Sequence, residues 1–147
     1  MVYRVRTTNG TTPVIREYMG GGAGVAGDIV KLGSNDKITV AAAGAEEALG
    51  WLTGDMEDGK PVNVMEANDF TEVEMPFTGE VAEGMLGGYF ALSGTSGAQK
   101  VDLSDTGHDL FKLTKVTRNG TATGHAATDF RCFVIIPSSK SQAIVEA

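Results

Sequence analysis

The sequence predicts an all-β protein with little helix, and two observations support this fold class. Twenty glycines punctuate short apolar runs that lie between clusters of Gly, Asn, Asp and Ser, a pattern typical of strands joined by turns. A hairpin pattern also occurs twice, with an offset of about 60 residues. We therefore predict a single β domain over residues 13–137, built from two related β-hairpin units at about 24–67 and 80–136.

The two units share a hairpin and the segments that follow it. In the first unit, β-rich runs at 28–32 and 37–40 flank the turn at 33–36. In the second unit, runs at 88–92 and 99–103 flank a turn whose sequence is SGTSG at 93–97. Three later pairs of segments correspond more loosely: LGWL at 49–52 with LFKL at 110–113, the turn Asp58-Gly59 with Asn119-Gly120, and the strands at 61–65 and 130–136.

Residues 1–12 are predicted to form either an N-terminal arm or an edge hairpin. Asn9-Gly10 favours a type I′ turn, because both central positions of that turn need positive φ, and it would pair residues 2–8 with residues 11–18. The alternative is an arm that orders only when a partner is present. Residues 7–12 offer little apolar surface to offset the entropy lost on ordering.

A glycine-rich connection at residues 20–24 precedes the first hairpin, and residues 22–27 spell the pattern G-x-G-x-x-G. This pattern binds a dinucleotide when its last glycines open a helix whose N-terminus faces the pyrophosphate. Here Asp28, Ile29 and Val30 open a strand instead. We therefore expect no nucleotide cofactor and interpret the glycines as loop and turn formers.

The middle of the chain contains the best helix candidate, residues 41–49, but Gly44 limits it to one or two turns. Trp51 follows, and we expect it in the core or at a subunit interface. Residues 55–59 lack the ligand spacing of a calcium loop and are predicted to form an exposed acidic turn.

The second half of the chain continues the β pattern. Residues 71–75 alternate between polar and apolar side chains, and Pro76 marks a strand end or an edge. The most apolar run, residues 130–136, predicts a buried strand. Residues 138–147 form a C-terminal tail whose last residues could add an edge strand.

Charge and cysteine usage exclude several classes of function. The net charge is −7, and because Arg4, Arg6 and Arg16 precede the first acid, the remainder holds nine basic against nineteen acidic side chains. Such an acidic body repels phosphate backbones, so we expect no nucleic-acid partner. The single cysteine, Cys132, allows no intrachain disulfide, and no run has membrane-spanning length.

The inventory of reactive side chains predicts a protein that is not an enzyme. The two histidines, His108 and His125, lie beside glycines in predicted loops, and neither a serine nor Cys132 has a nucleophile motif around it. Cys and His never occur at metal-ligand spacing. Carboxylate pairs for acid-base chemistry stay open, because spatial pairing is not visible in the sequence.

With these hairpins in place, the sequence resembles the small capsid decoration, or cement, proteins of tailed bacteriophages. The resemblance covers roughly residues 13–136 and rests on pattern more than on an invariant chemical motif. The segments that carry it are AGDIV at 26–30, ITVAA at 38–42, LGWL at 49–52, VAEG at 81–84 and YFAL at 89–92 with the turn at 93–97.

The resemblance implies a small β-barrel or β-tulip-like domain, commonly trimeric, that lies on the outer capsid surface of the virion. Such a protein is made in the host cytoplasm and stabilises the head by bridging subunits of the major capsid protein. By the same resemblance, Tyr3, Arg4, Val5 and Arg6 would form a capsid-binding arm. The longer connection at 67–78 and the C-terminal tail depart from shorter members of the family.

Two other classes of function remain open at this point. A carbohydrate- or receptor-binding β-module would need exposed aromatic side chains in loops, for which the candidates are Trp51, Phe70 and Tyr89. A lipoyl-like carrier domain would present a lysine on a hairpin tip, and Lys37 follows the first turn. It lacks the flanking hydrophobic pattern of such carriers.

Overall fold

The protein is all-β, as predicted. The computed structural model describes residues 4–7, 12–118 and 129–143, with only the backbone of residues 4–7. Within that part, twelve strands and one 3₁₀ turn form. The strands are β1 (Arg4–Thr7), β2 (Ile15–Gly20), β3 (Ile29–Leu32), β4 (Lys37–Val40), β5 (Gly50–Leu52), β6 (Pro61–Glu66), β7 (Thr71–Met75), β8 (Phe77–Thr78), β9 (Tyr89–Ser93), β10 (Lys100–Asp102), β11 (Phe111–Arg118) and β12 (Phe130–Ile135).

The first sheet is a closed, barrel-like ring in the order β2-β4-β3-β5-β6. β3 and β4 form the predicted hairpin, and its turn contains Asp36 at a φ of 62°. β5 pairs with β3, and β6 pairs with β5. β2 closes the ring because it lies antiparallel to β6 and, at its end, parallel to β4.

The second sheet has the order β1-β7-β12-β11-β9-β10-β8. β9 and β10 form the second predicted hairpin. β7 lies antiparallel to β12, and β8 lies parallel to β10. Only Pro76 separates β7 from β8, so these two strands together take the place that β2 has in the first sheet. Apart from β1, the second sheet therefore repeats the strand order of the first.

The turn that leads into each hairpin is also repeated. In residues 25–28 the N–H of Asp28 donates to the carbonyl of Val25 at 3.0 Å, and in residues 85–88 the N–H of Gly88 donates to that of Met85 at 2.9 Å. The third position is glycine in both, with φ of 91° at Gly27 and 83° at Gly87. Positive φ at this position is the requirement of a type II turn.

The hydrogen bonds that follow these turns match as well. Gly27 N–H donates to the Leu52 carbonyl at 2.8 Å, and Gly87 N–H donates to the Leu113 carbonyl at 2.8 Å. The duplication predicted from the sequence is therefore present in the backbone. The units extend further toward the N-terminus than the predicted starts at 24 and 80, because β2 and the β7–β8 pair close them.

The predicted hairpin around Asn9-Gly10 is wrong. β1 pairs with β7 in the second sheet, whereas β2 pairs with β6 and β4 in the first. The turn itself lies outside the described residues. Each strand finds a longer-range partner, which local turn propensity does not reveal.

Two apolar clusters form the core. The first unit encloses one cluster: Val30, Ile38, Leu49, Leu52, Met56, Val62 and Val64. The other extends across both units, and it joins Ile29, Trp51 and Met65 of the first to Phe90, Leu113 and Val134 of the second, among others. Trp51 is fully buried there, so its predicted core position is confirmed. The larger cluster therefore joins the two sheets, whereas the smaller one lies within the first unit.

The helix predicted at residues 41–49 does not form. Gly44 adopts a φ of 79°, and its N–H donates to the carbonyl of Leu92 in the second unit at 2.9 Å. Ala48 N–H donates instead to the carbonyl of Lys140 at 3.0 Å. Contacts with the rest of the chain therefore override the alanine-rich propensity of this segment.

The C-terminal segment docks on the first unit. Ser138–Lys140 forms a 3₁₀ turn, and the backbone N–H and hydroxyl of Ser138 donate to the carboxylate of Asp69. The Gln142 side chain accepts from the N–H of Leu32 at 2.8 Å and donates to its carbonyl at 3.2 Å. Residues 144–147 of the predicted tail lie outside the described residues.

Candidate protein-binding edge

The residues predicted as a capsid-binding arm lie at one edge of the second sheet. Arg4, Val5 and Arg6 belong to β1, whereas Tyr3 lies outside the described residues. β1 pairs with β7, and no other described strand lies against it. One edge of β1 is therefore bound to the domain, and the other has no strand neighbour within residues 4–7, 12–118 and 129–143.

The register of β1 on β7 places basic residues opposite acidic ones. Arg4 is directly opposite Glu74, and Arg6 is directly opposite Glu72. Opposite charges at such cross-strand positions stabilise an antiparallel pair by roughly 0.2–1 kcal/mol. Glu72 and Glu74 form an acidic row on β7, and the backbone of the basic strand β1 lies beside it.

Other side chains hold this acidic row in place. Arg131 on β12 forms a two-point contact with Glu74, with Nε 3.0 Å from Oε1 and Nη2 2.5 Å from Oε2. The hydrogen bond to Glu74 raises the pKa of Arg131. Glu72 is buried and accepts from the Thr114 hydroxyl at 2.7 Å. These contacts give β7 a fixed geometry against which β1 lies.

An open strand edge can bind an extended segment of another protein by strand addition. Main-chain hydrogen bonds supply affinity in this mode, and side-chain charge supplies register. Arg4 and Arg6 give β1 a basic sequence. A basic edge strand accepts an acidic extended segment more readily than a second basic β1, because like charges repel.

Sequence reasoning missed the residues that fix the two units together. The carboxylate of Asp28, fully buried, accepts from the N–H of Val25 at 3.0 Å, the N–H of Gly97 at 2.8 Å and the hydroxyl of Ser96. Gly97 and Ser96 belong to the β9–β10 turn. This turn of the second unit is therefore anchored on the leading turn of the first.

Gln99 provides a second buried link. Its side-chain oxygen accepts from the N–H of Ile29, and its side-chain nitrogen donates to the carbonyl of Ala41 at 3.0 Å. Gln99 is fully buried, and buried polar groups with all partners in place fix a unique arrangement. No local sequence signal marks either link between the units, because Gly97 lies 69 positions from Asp28 and Ile29 lies 70 positions from Gln99.

The candidate reactive residues occupy separate environments. Cys132 is buried on β12, and burial raises its pKa to about 12, so the thiol is neutral near pH 7. His108 is exposed, with Nδ1 3.1 Å from a carboxylate oxygen of Asp105. The pKa of Asp105 is lowered, mainly by the hydrogen bond that its carboxylate accepts from the backbone N–H of Gly107. His125 lies outside the described residues.

The remaining candidate residues are those for metal and cofactor binding. Within the described part of the chain, no group of three or more His, Cys, Asp or Glu residues could hold a metal ion. The glycines at 22–27 lead into β3 rather than a helix. Lys37 begins β4, with Nζ 3.9 Å from Asp58. The absence of enzymatic activity stays a prediction.

Comparison with known proteins gives no assignment. No helix in the described part of the chain has the length and apolar character needed to cross a membrane. No protein-family model matches this chain, and no curated protein matches it.

Proposed function

We propose that this protein is a capsid decoration protein of a tailed bacteriophage. It binds the outside of the head and stabilises it by bridging neighbouring subunits of the major capsid protein. In this proposal it acts on the virion surface as a homo-oligomer, with a trimer favoured, and uses neither a cofactor nor nucleic acid.

The positions of the segments that resemble capsid decoration proteins support the proposal. Residues 26–30 contain the leading turn and the start of β3, residues 49–52 contain β5, and residues 89–92 lie on β9. These three segments lie on strands and turns of the repeated module, whereas residues 81–84 lie in a loop. The resemblance therefore follows the framework on which the domain is built.

One observation carries the proposal. The basic strand β1 lies at the edge of a duplicated β domain whose two units are fixed to each other. A decoration protein needs a stiff domain and an edge or arm that binds the repeated lattice of capsid subunits. Contact with two or three capsid subunits makes the later contacts intramolecular and raises avidity. Binding to the assembled shell but not to free subunits then stabilises the shell by mass action.

Binding to expanded heads that lack the protein tests the proposal. We expect wild-type protein to co-sediment with heads and to raise their melting temperature. The variant Arg4→Glu/Arg6→Glu should bind at least about tenfold more weakly, because the reversals remove complementarity to an acidic segment and also place glutamates opposite Glu74 and Glu72 on β7. The variant Lys60→Glu/Lys100→Glu makes the same change of net charge at exposed positions away from β1 and should bind like wild type. Failure of wild-type protein to co-sediment would overturn the proposal.

A second candidate is a carbohydrate- or receptor-binding module. Trp51 is buried and cannot act as a ligand platform, whereas Phe70 is 48% exposed and Tyr89 is 37% exposed. Exposed aromatic rings can stack on sugars, so these two residues are what favours this candidate. Binding of labelled protein to a glycan array, with loss in Phe70→Ala or Tyr89→Ala, would support it.

A further inference from the structure

The pairing registers of the two units make β2 and β7 equivalent residue by residue. In each unit, the leucine that accepts from the glycine of the leading turn lies opposite a valine, and this valine lies opposite the residue that precedes a glutamate. The three residues in order are Leu52, Val64 and Arg16 in the first unit and Leu113, Val134 and Val73 in the second. Glu17 on β2 therefore corresponds to Glu74 on β7, and Ile15 corresponds to Glu72.

The edge that β1 covers on β7 is open on β2. β1 pairs with residues 71–74 of β7, on the side away from β12. On the corresponding side of β2, away from β6, β4 pairs with Met19 and Gly20 only. Among residues 4–7, 12–118 and 129–143, no strand pairs with this side of residues 15–18. We call this side of residues 15–18 the open edge of β2.

The backbone of β2 directs hydrogen-bonding groups toward its open edge. The N–H of Glu66 donates to the carbonyl of Val14 at 2.8 Å, so position 14 directs its backbone groups toward β6. Successive residues of a strand direct these groups to opposite edges. The N–H and carbonyl groups of Ile15 and Glu17 therefore point to the open edge, where an added strand would pair with them.

The side chains at the open edge differ in charge from those on β7. Glu17 is exposed, and within the described residues its carboxylate has no ion pair or hydrogen bond. Ile15 is 55% exposed and lies where β7 has Glu72. The two side chains share one face of β2 because they are two positions apart. The open edge thus presents one acidic and one apolar side chain, whereas β7 presents two acidic ones.

We propose that the open edge of β2 binds an extended segment of another protein by antiparallel strand addition. The segment has a basic residue opposite Glu17 and, two positions later, an apolar residue opposite Ile15. β1 shows this mode on the equivalent edge, where Arg4 lies opposite Glu74. β1 of a second copy is a poorer ligand for β2, because Arg6 would lie opposite Ile15.

This peptide site belongs to the first unit and prefers the opposite charge to the one that β1 prefers. The inference needs neither a capsid nor association between copies of the chain. Its failure would leave the binding of heads by β1 untouched, because the two are measured with different ligands.

Hydrogen exchange of the free protein, followed by NMR, first tests whether the edge is open. The amides of Ile15 and Glu17 should exchange rapidly, whereas those of Arg16 and Tyr18 should be protected by β6. Protection of all four amides in the free protein would overturn the inference.

A labelled synthetic peptide of residues 1–8 that carries Arg6→Val is the probe for binding. It retains Arg4 to lie opposite Glu17 and places an apolar side chain opposite Ile15. Fluorescence anisotropy should show saturable binding below about 1 mM peptide. The bound peptide should newly protect the amides of Ile15 and Glu17 from exchange. Absence of binding, or new protection confined to β1 or β7, would contradict the proposal.

Methylation of single peptide nitrogens tests whether the backbone pairs. A methyl group on the nitrogen of Arg4 should abolish binding, because this N–H would face β2. A methyl group on the nitrogen of Val5, whose N–H would face away, should leave binding unchanged. Equal effects of the two methyl groups would count against strand addition.

Charge exchange tests the register. Glu17→Lys should weaken binding of the probe at least about fivefold, because like charges would then lie opposite one another. Its melting temperature should stay close to that of wild type, since Glu17 is exposed. A peptide with Arg4→Glu/Arg6→Val should bind Glu17→Lys more tightly than it binds wild type. Glu46→Lys makes the same charge change at an exposed position outside β2 and should bind the probe like wild type.

Two results would overturn the register or the choice of ligand. Equal weakening by Glu17→Lys and Glu46→Lys would show that only net charge matters. Binding of the unmodified peptide of residues 1–8 as tightly as the probe would show that an apolar residue opposite Ile15 is not selected.

Discussion

The side-chain oxygen of Gln99 accepts a hydrogen bond of 2.6 Å from the backbone N–H of Ile29. Ile29 begins the hairpin of the first unit, and Gln99 immediately precedes the second strand of the hairpin in the second unit. The two repeated units therefore complete one another's hydrogen bonding. We expect them to unfold as one cooperative unit, since the larger core cluster is also shared.

Replacing Gln99 by leucine should lower the free energy of unfolding by about 2 to 4 kcal/mol, because the N–H of Ile29 and the carbonyl of Ala41 lose buried partners. Gln142→Leu is the matched control. Its site is half-buried and open to water, so the expected cost is about 1 kcal/mol. Urea denaturation measures both, and equal losses would contradict the assigned role of Gln99.

Gly27→Ala and Gly87→Ala should each lower the free energy of unfolding by about 1 to 2 kcal/mol, because both glycines have positive φ in equivalent turns. Gly54→Ala is the control: a Cβ at Gly54 meets open space and no positive φ is required. Its effect should be within about 0.5 kcal/mol. Loss at only one of the two turn glycines would count against their equivalence.

Stability should fall as the pH rises from about 9 to 12. Burial raises the pKa of Cys132 from 9.0 to about 12, and burial with the hydrogen bond to Glu66 raises that of Tyr18 from 10.0 to about 12. In both cases the folded protein holds its proton more tightly than the unfolded chain. The resulting stability is present below pH 9 and is lost as the pH rises through 12.

The variant Tyr18→Phe tests the tyrosine's part in this pH dependence. It should make the free energy of unfolding fall less steeply between about pH 10 and 12. Tyr89→Phe, at an exposed tyrosine, is the control and should retain the wild-type slope. Urea denaturation at a series of pH values provides the measurement, and an unchanged slope in Tyr18→Phe would refute the assignment.

Deletion of residues 1–12 should weaken binding to expanded heads more than it destabilises the domain. The deletion removes β1, which pairs only with β7 among the described strands, whereas the closed ring of the first unit stays intact. Affinity for heads and the melting temperature of the free protein are measured on the same preparation. Unchanged affinity would show that β1 is not part of the binding surface.

Much of the fold follows from local signals in the sequence. The turn residues around Asp36 and the glycines of the second hairpin predict both β-hairpins, and apolar surroundings place Trp51 in the core. The pairings that close the first sheet and complete the second were not predictable in the same way. They depend on parallel pairing of β2 with β4 and of β8 with β10, between segments that are distant in sequence.

The candidate site was predictable only in part. The resemblance implied a binding arm that includes Arg4 and Arg6, but the sequence pattern could not show that these positions pair with Glu74 and Glu72 on β7. The false helix at residues 41–49 has a similar origin, because Gly44 bonds to Leu92 across the shared core. Long-range contacts decided each of these points, and short-range propensity does not encode them.

Electron microscopy of expanded phage heads incubated with the purified protein tests the proposed function most directly. The account predicts ordered density for this all-β domain on the outer face of the shell, in contact with at least two capsid subunits. Bare shells at saturating protein concentration, or density confined to the interior, would contradict it.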